Sequence, residues 1–333
     1  MKRDHGFVLV NALILVVAMS AVVVFLLSRS ENQRLRLRAG QDAARLTLAL
    51  DAFEALAITR LDADLFSAHP GVDSLDDDWA APISDLPLDG LSLSGELIDM
   101  QGRFNLNLLA LPEATEARAV FDRLLRRVGA SPQSGTLIVD FLSPTGPKDR
   151  SVYAMRVPAS RPVGGPILML DQLADIPGLP VRDLERLAAV ITAYPDQGRI
   201  NVNTASAEVL SAALPQVAPA SLDRALRARR RSPFETVDAF FDALGGVGAA
   251  RDGATSPEDT DGSDNANQDP GVSDPPSALG ADAFTVSSIW FQADIRVVMQ
   301  DERGLRSMAR TTVLRRGART EGAEVAWRIT AAP

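Results

Sequence analysis

Residues 1–27 read MKRDHGFVLVNALILVVAMSAVVVFLL, a short charged leader ending at Gly6 followed by an apolar run from Phe7 to Leu27. At about 1.5 Å per helical residue that run is ~31 Å long, enough to cross the hydrocarbon core of a bilayer. Asn11 and Ser20 are its polar interruptions. The small residue, Gly6, stands before the apolar stretch, and no A-x-A-like site follows it, so the segment lacks the marks of an ordinary secretory signal. Cleavage between Gly6 and Phe7 would leave the hydrophobic helix on the mature chain. Charge bias points weakly the other way. Lys2 and Arg3 precede the span, but Arg29, Arg34, Arg36 and Arg38 follow it closely, which argues against a body outside the cytoplasm.

Beyond the span the helical pattern continues. Ala39, Ala43, Leu46, Leu50, Phe53 and Ala57 recur at alternating steps of four and three, with Arg45, Asp51 and Glu54 off the stripe. This predicts one helix reaching to about residue 60, its stripe laid on a sheet, with Gly40 as a candidate bend. Residues 67–90 read as loop, and the acidic run Asp76, Asp77, Asp78 reads as solvated surface. Leu91 to Ile98 alternates as a strand, and a turn at Gly102 leads to a second short extended segment.

From Pro112 to about Leu244 the pattern is helical. Ala117, Val120, Phe121, Leu124, Leu125 and Val128 mark an amphipathic helix over 113–128, and another helical segment begins at Leu137. A Pro- and Gly-rich stretch, 144–166, precedes two helical-hairpin units. The first has a helix at Leu170–Ala174, a turn at Ile176–Leu179, then a helix through Leu184, Leu187 and Ile191. The second opens INVNTA at Ile200, with Thr204 or Ser206 able to cap a helix, and turns between Leu214 and Pro219. Residues 251–280 read as an acidic linker. Within it Asp259, Asp261, Asp264, Asn267 and Asp269 are candidate calcium ligands by hard-oxygen chemistry, although no EF-hand spacing is present. Strand-like segments at 284–292, 294–300, 305–315 and 325–329 close the chain, with a hairpin at Asp301–Gly304. Strands on both sides of a helical block predict an α+β fold with the block inserted.

Composition excludes several chemistries. With 333 residues, a net charge of −9 and no cysteine, the chain has room for an elaborated core but no thiolate site, and nucleic acid is not expected as a partner. The two histidines are His5 and His69, too few for a histidine metal cluster. Asp76 and Asp78 could be drawn as a glycosidase pair, but they sit in a loop-like charge run with no cleft implied, so no enzyme is expected.

The Gly6/Phe7 junction resembles the class III signal of type IV pilins and type II secretion pseudopilins. The resemblance implies cleavage after Gly6 by a prepilin peptidase and N-methylation of Phe7. Most of that family carries Glu at the fifth mature position, which neutralises the amine of the subunit ahead; this chain has Asn11, so nothing is expected above it. The order of DMQGRFNLNL (Asp99–Leu108), INVNTASAEVL (Ile200–Leu210), Arg229–Phe234 and Phe284–Phe291 further resembles the K-type minor pseudopilin, nearly throughout its length. It departs at Asp140-Phe-Leu-Ser-Pro and at Lys148–Tyr153, where the family commonly has acids, which puts cation binding there in doubt.

The layout the resemblance implies is a leader (1–6), a transmembrane helix (7–27), its periplasmic continuation (28–62), and a pilin-fold loop and first strands (63–111). There follow an inserted all-α domain of helix-hairpin-helix, SAM-like units (112–250), the linker (251–280) and C-terminal antiparallel strands (281–333). It implies a type IV pilin-like subunit, anchored in the bacterial inner membrane by a single pass with its body in the periplasm. Such a subunit joins I-type and J-type minor pseudopilins to start the pseudopilus at its tip, with the secretin and secreted substrates as further candidate contacts. Calcium is the one candidate cofactor. The INVNTA unit also resembles the helix-hairpin-helix of competence DNA receptors, whose glycine-containing turns bind phosphate beside basic residues such as the Arg227, Arg229, Arg230, Arg231 cluster. A solvated helix C-terminus, where cations suit the dipole, accounts for that cluster more cheaply.

Overall fold

The computed structural model describes residues 4–67, 69–156, 159–196, 198–245, 279–301, 304–318 and 320–331, with side chains from Val10 onward. The calcium candidates Asp259, Asp261, Asp264, Asn267 and Asp269 lie outside the described residues. A single helix, α1 (Asp4–Asp64), runs through Gly40 without a break. Its apolar first half is exposed, with none of its most hydropathic window buried, and it is long and apolar enough to span a membrane.

From Leu46 onward α1 lies on a five-stranded antiparallel sheet. The strands are β1 (Ile83–Leu88), β2 (Leu91–Asp99), β7 (Trp290–Asp301), β8 (Gly304–Arg316) and β9 (Ala323–Ala331), in spatial order β1-β2-β7-β8-β9. Leu46, Leu50, Phe53, Ala57 and Leu61 are buried against Leu93, Leu97, Phe291, Ile295, Val297 and Leu314. The stripe read from the sequence is therefore core contact with the chain's own sheet, except Ala39 and Ala43, which are exposed. Gly95 lets the helix come this close: a Cβ there would stand 2.6 Å from the Phe53 ring and 2.6 Å from the Asp294 carbonyl.

Charge fixes the register of helix on sheet. Arg306 pairs with Asp42, Arg310 with Asp51 at 2.6 Å and Glu54 at 3.6 Å, and Arg316 with Asp64 at 2.9 Å. The Thr312 hydroxyl and Arg328 donate to the two oxygens of Glu54, each at 2.8 Å. From Asp42 to Asp64 the helix rises ~33 Å, and from Arg306 to Arg316 an extended strand also rises ~33 Å. The two elements run parallel with matched spacing, so a slip of one residue would leave buried charges unpaired.

The sequence missed β1. ISDLPL lacks alternation, contains Pro87 and holds Asp85 at φ 52°, as suits a short exposed edge strand. The segment 284–292 is also not one strand. Phe284–Thr285 (β6) pairs in parallel with β5 (Ile200–Asn201), and only Trp290 onward joins the sheet. The chain leaves β2 for a helical domain, α2 (Thr115–Val128), α3 (Pro132–Phe141), α4 (Ser151–Ala154), α5 (Val181–Ala188), α6 (Ala207–Ala213), α7 (Pro219–Arg229) and α8 (Val237–Ala243), with its own apolar core. Residues 170–175 form a 3-10 turn, and Ile191 lies in a two-residue strand, β4 (Ile191–Thr192), paired with β3 (Phe104–Asn105). Ser206 caps α6 by accepting from the Val209 N–H. The helical domain departs from the end of β2 that lies beside the C-terminus of α1, so it stands at the end of the molecule farthest from the apolar span.

Candidate functional site

The segments that carry the sequence signature converge where the helical domain meets the sheet. Asp99, the last residue of β2, is buried at their centre. One of its oxygens accepts from Asn201 Nδ2 at 3.1 Å, from the Ser288 hydroxyl at 2.7 Å and from the Thr204 hydroxyl; the other accepts from the Gln101 N–H at 2.8 Å. Burial pushes the Asp99 carboxyl up to about 6, against the hydrogen bonds from Thr204, Ser288 and Gln101 that favour the anion. Gln101 ties the two crossing strands of chain together, donating to the Arg199 carbonyl at 3.2 Å and accepting from the Ile289 N–H at 2.6 Å. A Cβ on Gly102 would stand 2.8 Å from Thr204 Oγ1, so glycine is what allows this approach.

The asparagines extend the seam. A carboxamide offers both a donor and an acceptor, so it can pair with a peptide unit as a strand would. Asn203 accepts from the Phe234 N–H at 2.8 Å and donates to the Phe234 carbonyl at 2.9 Å, which joins INVNTA to the Pro233-Phe234 turn. Asn107 does the same with Ile167, at 2.8 and 2.9 Å. Asn105 donates to the carbonyls of Tyr194 at 3.1 Å and Asp196 at 2.8 Å. Tyr194 then stacks on Trp290 with ring centroids 6.0 Å apart, and Trp290 lies 5.7 Å from Trp327 on the outer face of the sheet. Thr204 and Ser288 both donate their hydroxyls to the Asp99 carboxylate. This arrangement ties the helical domain to the sheet through buried hydrogen bonds.

A second buried polar group adjoins the first. Carboxylate oxygens of Asp64, Asp73 and Asp77 lie within 4.8 Å of one another. Arg316 donates to Asp64 and Asp73, and its guanidinium lies 4.9 Å over the Phe291 ring. Burial, then the charges of Asp73 and Asp77, push the Asp64 carboxyl up to about 6; burial also raises Asp73, with Arg316 opposing it. The acidic run is thus not simply solvated: Asp77 accepts from the Ser74 N–H at 2.7 Å and from Trp79 Nε1 at 3.2 Å. Asp76 and Asp78 line an open depression with Arg60 and His69. Nothing in the sequence pattern pointed to Arg316 as the cation that this group would enclose.

The remaining sequence-derived residues fall elsewhere. Gly6 and Phe7 lie in the first turns of α1, described by backbone alone, and Asn11 is exposed on the same helix. In the basic cluster, Arg229 is half-buried. It donates to the carbonyls of Val202 at 2.8 Å and Ala205 at 2.7 Å, so that charge closes the hairpin unit from within.

Two family models describing type II secretion system protein K match the chain, over residues 102–196 and 200–258. Type II secretion system protein K of Pseudomonas aeruginosa is 28% identical over 268 residues, covering 74% of this chain and 79% of that protein. The protein of the same description from Aeromonas hydrophila is 24% identical over 235 residues, covering 62% and 69%. Among solved structures, a chain of the GspK–GspI–GspJ complex of the enterotoxigenic Escherichia coli type 2 secretion system superposes with a TM-score of 0.62 at 18% identity. The match covers 90% of this chain and all of that one, so the two share a fold.

Proposed function

The chain belongs to the type II secretion system protein K family, and from that premise we propose that this minor pseudopilin stands at the tip of the pseudopilus and helps to start its assembly. The observation that carries the proposal is the position of the helical domain. It stands at the end of the body farthest from the apolar span, where a further subunit would have to stack. Asn11 supports the same placement, because without an acid there the helix has nothing to offer the N-terminal amine of a subunit ahead.

The partners are the I- and J-type minor pseudopilins, as in the Escherichia coli complex that shares the fold. The sheet occupies one side of α1. On the opposite side Leu37, Ala44, Leu48, Ala52 and Ala55 are exposed, and this face is the one to receive a partner's helix. Maturation is cleavage after Gly6 with methylation of Phe7, and the body lies in the periplasm beyond the inner membrane. The role is structural, with the Asp99 seam holding the tip domain rigidly on the pilin fold.

Co-expression with the two partner pseudopilins tests the assignment. Leu37→Arg with Leu48→Arg, both at positions about two-thirds exposed, should leave the monomer's melting unchanged while abolishing co-purification. Undiminished association would refute assembly through this face. N-terminal sequencing of membrane-extracted protein should begin at Phe7, and an intact Met1 would refute the maturation step.

A further inference from the structure

Several arginines of the body are committed to partners within it. Arg306, Arg310, Arg316 and Arg328 pair with acids of α1, and Arg103 and Arg229 donate to backbone carbonyls. Arg29, Arg34, Arg36 and Arg38 differ. All four are exposed, and among the described residues none has an ion-pair or hydrogen-bond partner. Only Glu31 offsets them within residues 28–41, on a chain whose net charge is nonetheless −9.

Their placement along the helix is specific. Arg29 lies ~3 Å past Leu27 along the axis, Arg34 ~10 Å, and Arg36 and Arg38 ~14 and ~17 Å. A headgroup layer is roughly 5–8 Å deep on each side of the hydrocarbon core. Arg29 stands within it and Arg34 reaches back to it, as long cationic side chains do at helix ends. Arg36 and Arg38 remain within about one Debye length, ~8 Å, of its outer boundary once their side chains lean toward it. Around the axis the four fall on two opposite sides: Arg29 and Arg36 within about 20° of each other, Arg34 and Arg38 within about 40°, and the pairs ~160° apart at 100° per residue. A partner helix covers one side of a helix, whereas an annulus of lipid surrounds it.

We infer that Arg29, Arg34, Arg36 and Arg38 form a collar that binds the anionic headgroups of the leaflet on the body's side of the membrane. The inference rests on the membrane-anchored reading of α1 and adds its lipid partner. The collar fixes the depth of the helix, while the acid-rich body is repelled by the same surface and held away from it. Anionic lipid also neutralises the charges that positive-inside bias would place across the membrane.

The test uses the full chain reconstituted into phosphatidylcholine vesicles, with spin-labelled phosphatidylglycerol or phosphatidylcholine as the probe of boundary lipid. One basic residue at an anionic surface changes association by about fivefold, so phosphatidylglycerol should be preferred at least threefold or so. High salt and the combined Arg29→Gln, Arg34→Gln, Arg36→Gln, Arg38→Gln variant should bring the preference to parity, and the matching Lys variant should keep it. An inserted chain with no preference, or a Gln variant that retains it, overturns this inference alone. So does a Gln variant whose lipid preference is intact while it loses its pseudopilin partners, which would make the collar a protein contact. Release of the chain from the vesicles by alkaline carbonate would overturn the anchored reading, and this inference with it.

Discussion

Replacing Asp99 by asparagine removes one charge from the centre of the interdomain seam and leaves its shape nearly unchanged. Asp99 is fully buried, and its carboxyl is raised from 3.8 to about 6. A raised carboxyl pKa means that the folded state holds the proton more tightly than the unfolded state does, so ionisation works against folding. The displacement corresponds to ~3 kcal/mol lost above pH ~6 and restored as pH falls toward 4. Between about pH 7.5 and 4.5 the native protein should gain ~2 kcal/mol from this group. The carboxamide that Asp99→Asn introduces cannot titrate. It also turns a donor toward the Gln101 N–H in place of an acceptor, at a cost of about 1–3 kcal/mol. At neutral pH that cost and the relief of the buried charge nearly cancel, and the variant should lie within about 2 kcal/mol of the native protein. On acidification it should fall behind by a further ~2 kcal/mol. Asp64 and Asp73 titrate in both proteins and drop out of the difference. Urea unfolding of the detergent-solubilised chain, followed by the fluorescence of Trp79, Trp290 and Trp327, measures this directly. Parallel stability curves for the two proteins from pH 7.5 to 4.5 would refute the claim that burial at Asp99 sets this dependence.

Two further outcomes follow from the same seam. Arg316→Met leaves Asp64 and the fully buried Asp73 without their cation and should cost about 3–5 kcal/mol at neutral pH. The loss should shrink below pH ~6 as the carboxyls take up protons, and an equal loss at both ends in urea melts would contradict the pairing. Asn203→Ala strips both partners from the Phe234 peptide unit and should cost about 2–4 kcal/mol, read as a lowered urea midpoint with unchanged slope.

Much of the architecture was legible because periodicity is a local property. The apolar run and the stripe from Leu46 to Ala57 need only counting, and each lies on α1 where the spacing put it. The strands at 91–98 and 305–315 carry enough alternation to declare themselves. β1 did not, because an edge strand with Pro87 and no buried face has no pattern to display. The division of 284–292 was equally hidden: β6 exists only because Ile200–Asn201, far away in sequence, offers it a partner.

The signature residues were visible as motifs, but their work was not. Asp99, Gln101, Asn201, Thr204 and Ser288 come from three separated segments and bond to one another, and Asn203 reaches Phe234 in the same way. A hydrogen bond between distant segments leaves no periodic trace, since each partner alone reads as an ordinary polar residue. The same holds for Arg316 between Asp64 and Asp73, and for Arg229 turned inward from what reads as a solvated cluster. Local spacing determined the long helix, its sheet-facing stripe and the central strands at 91–98 and 305–315. The tertiary structure alone decided which polar residues are buried together, because desolvation and pairing depend on neighbours that the chain supplies only once it has folded.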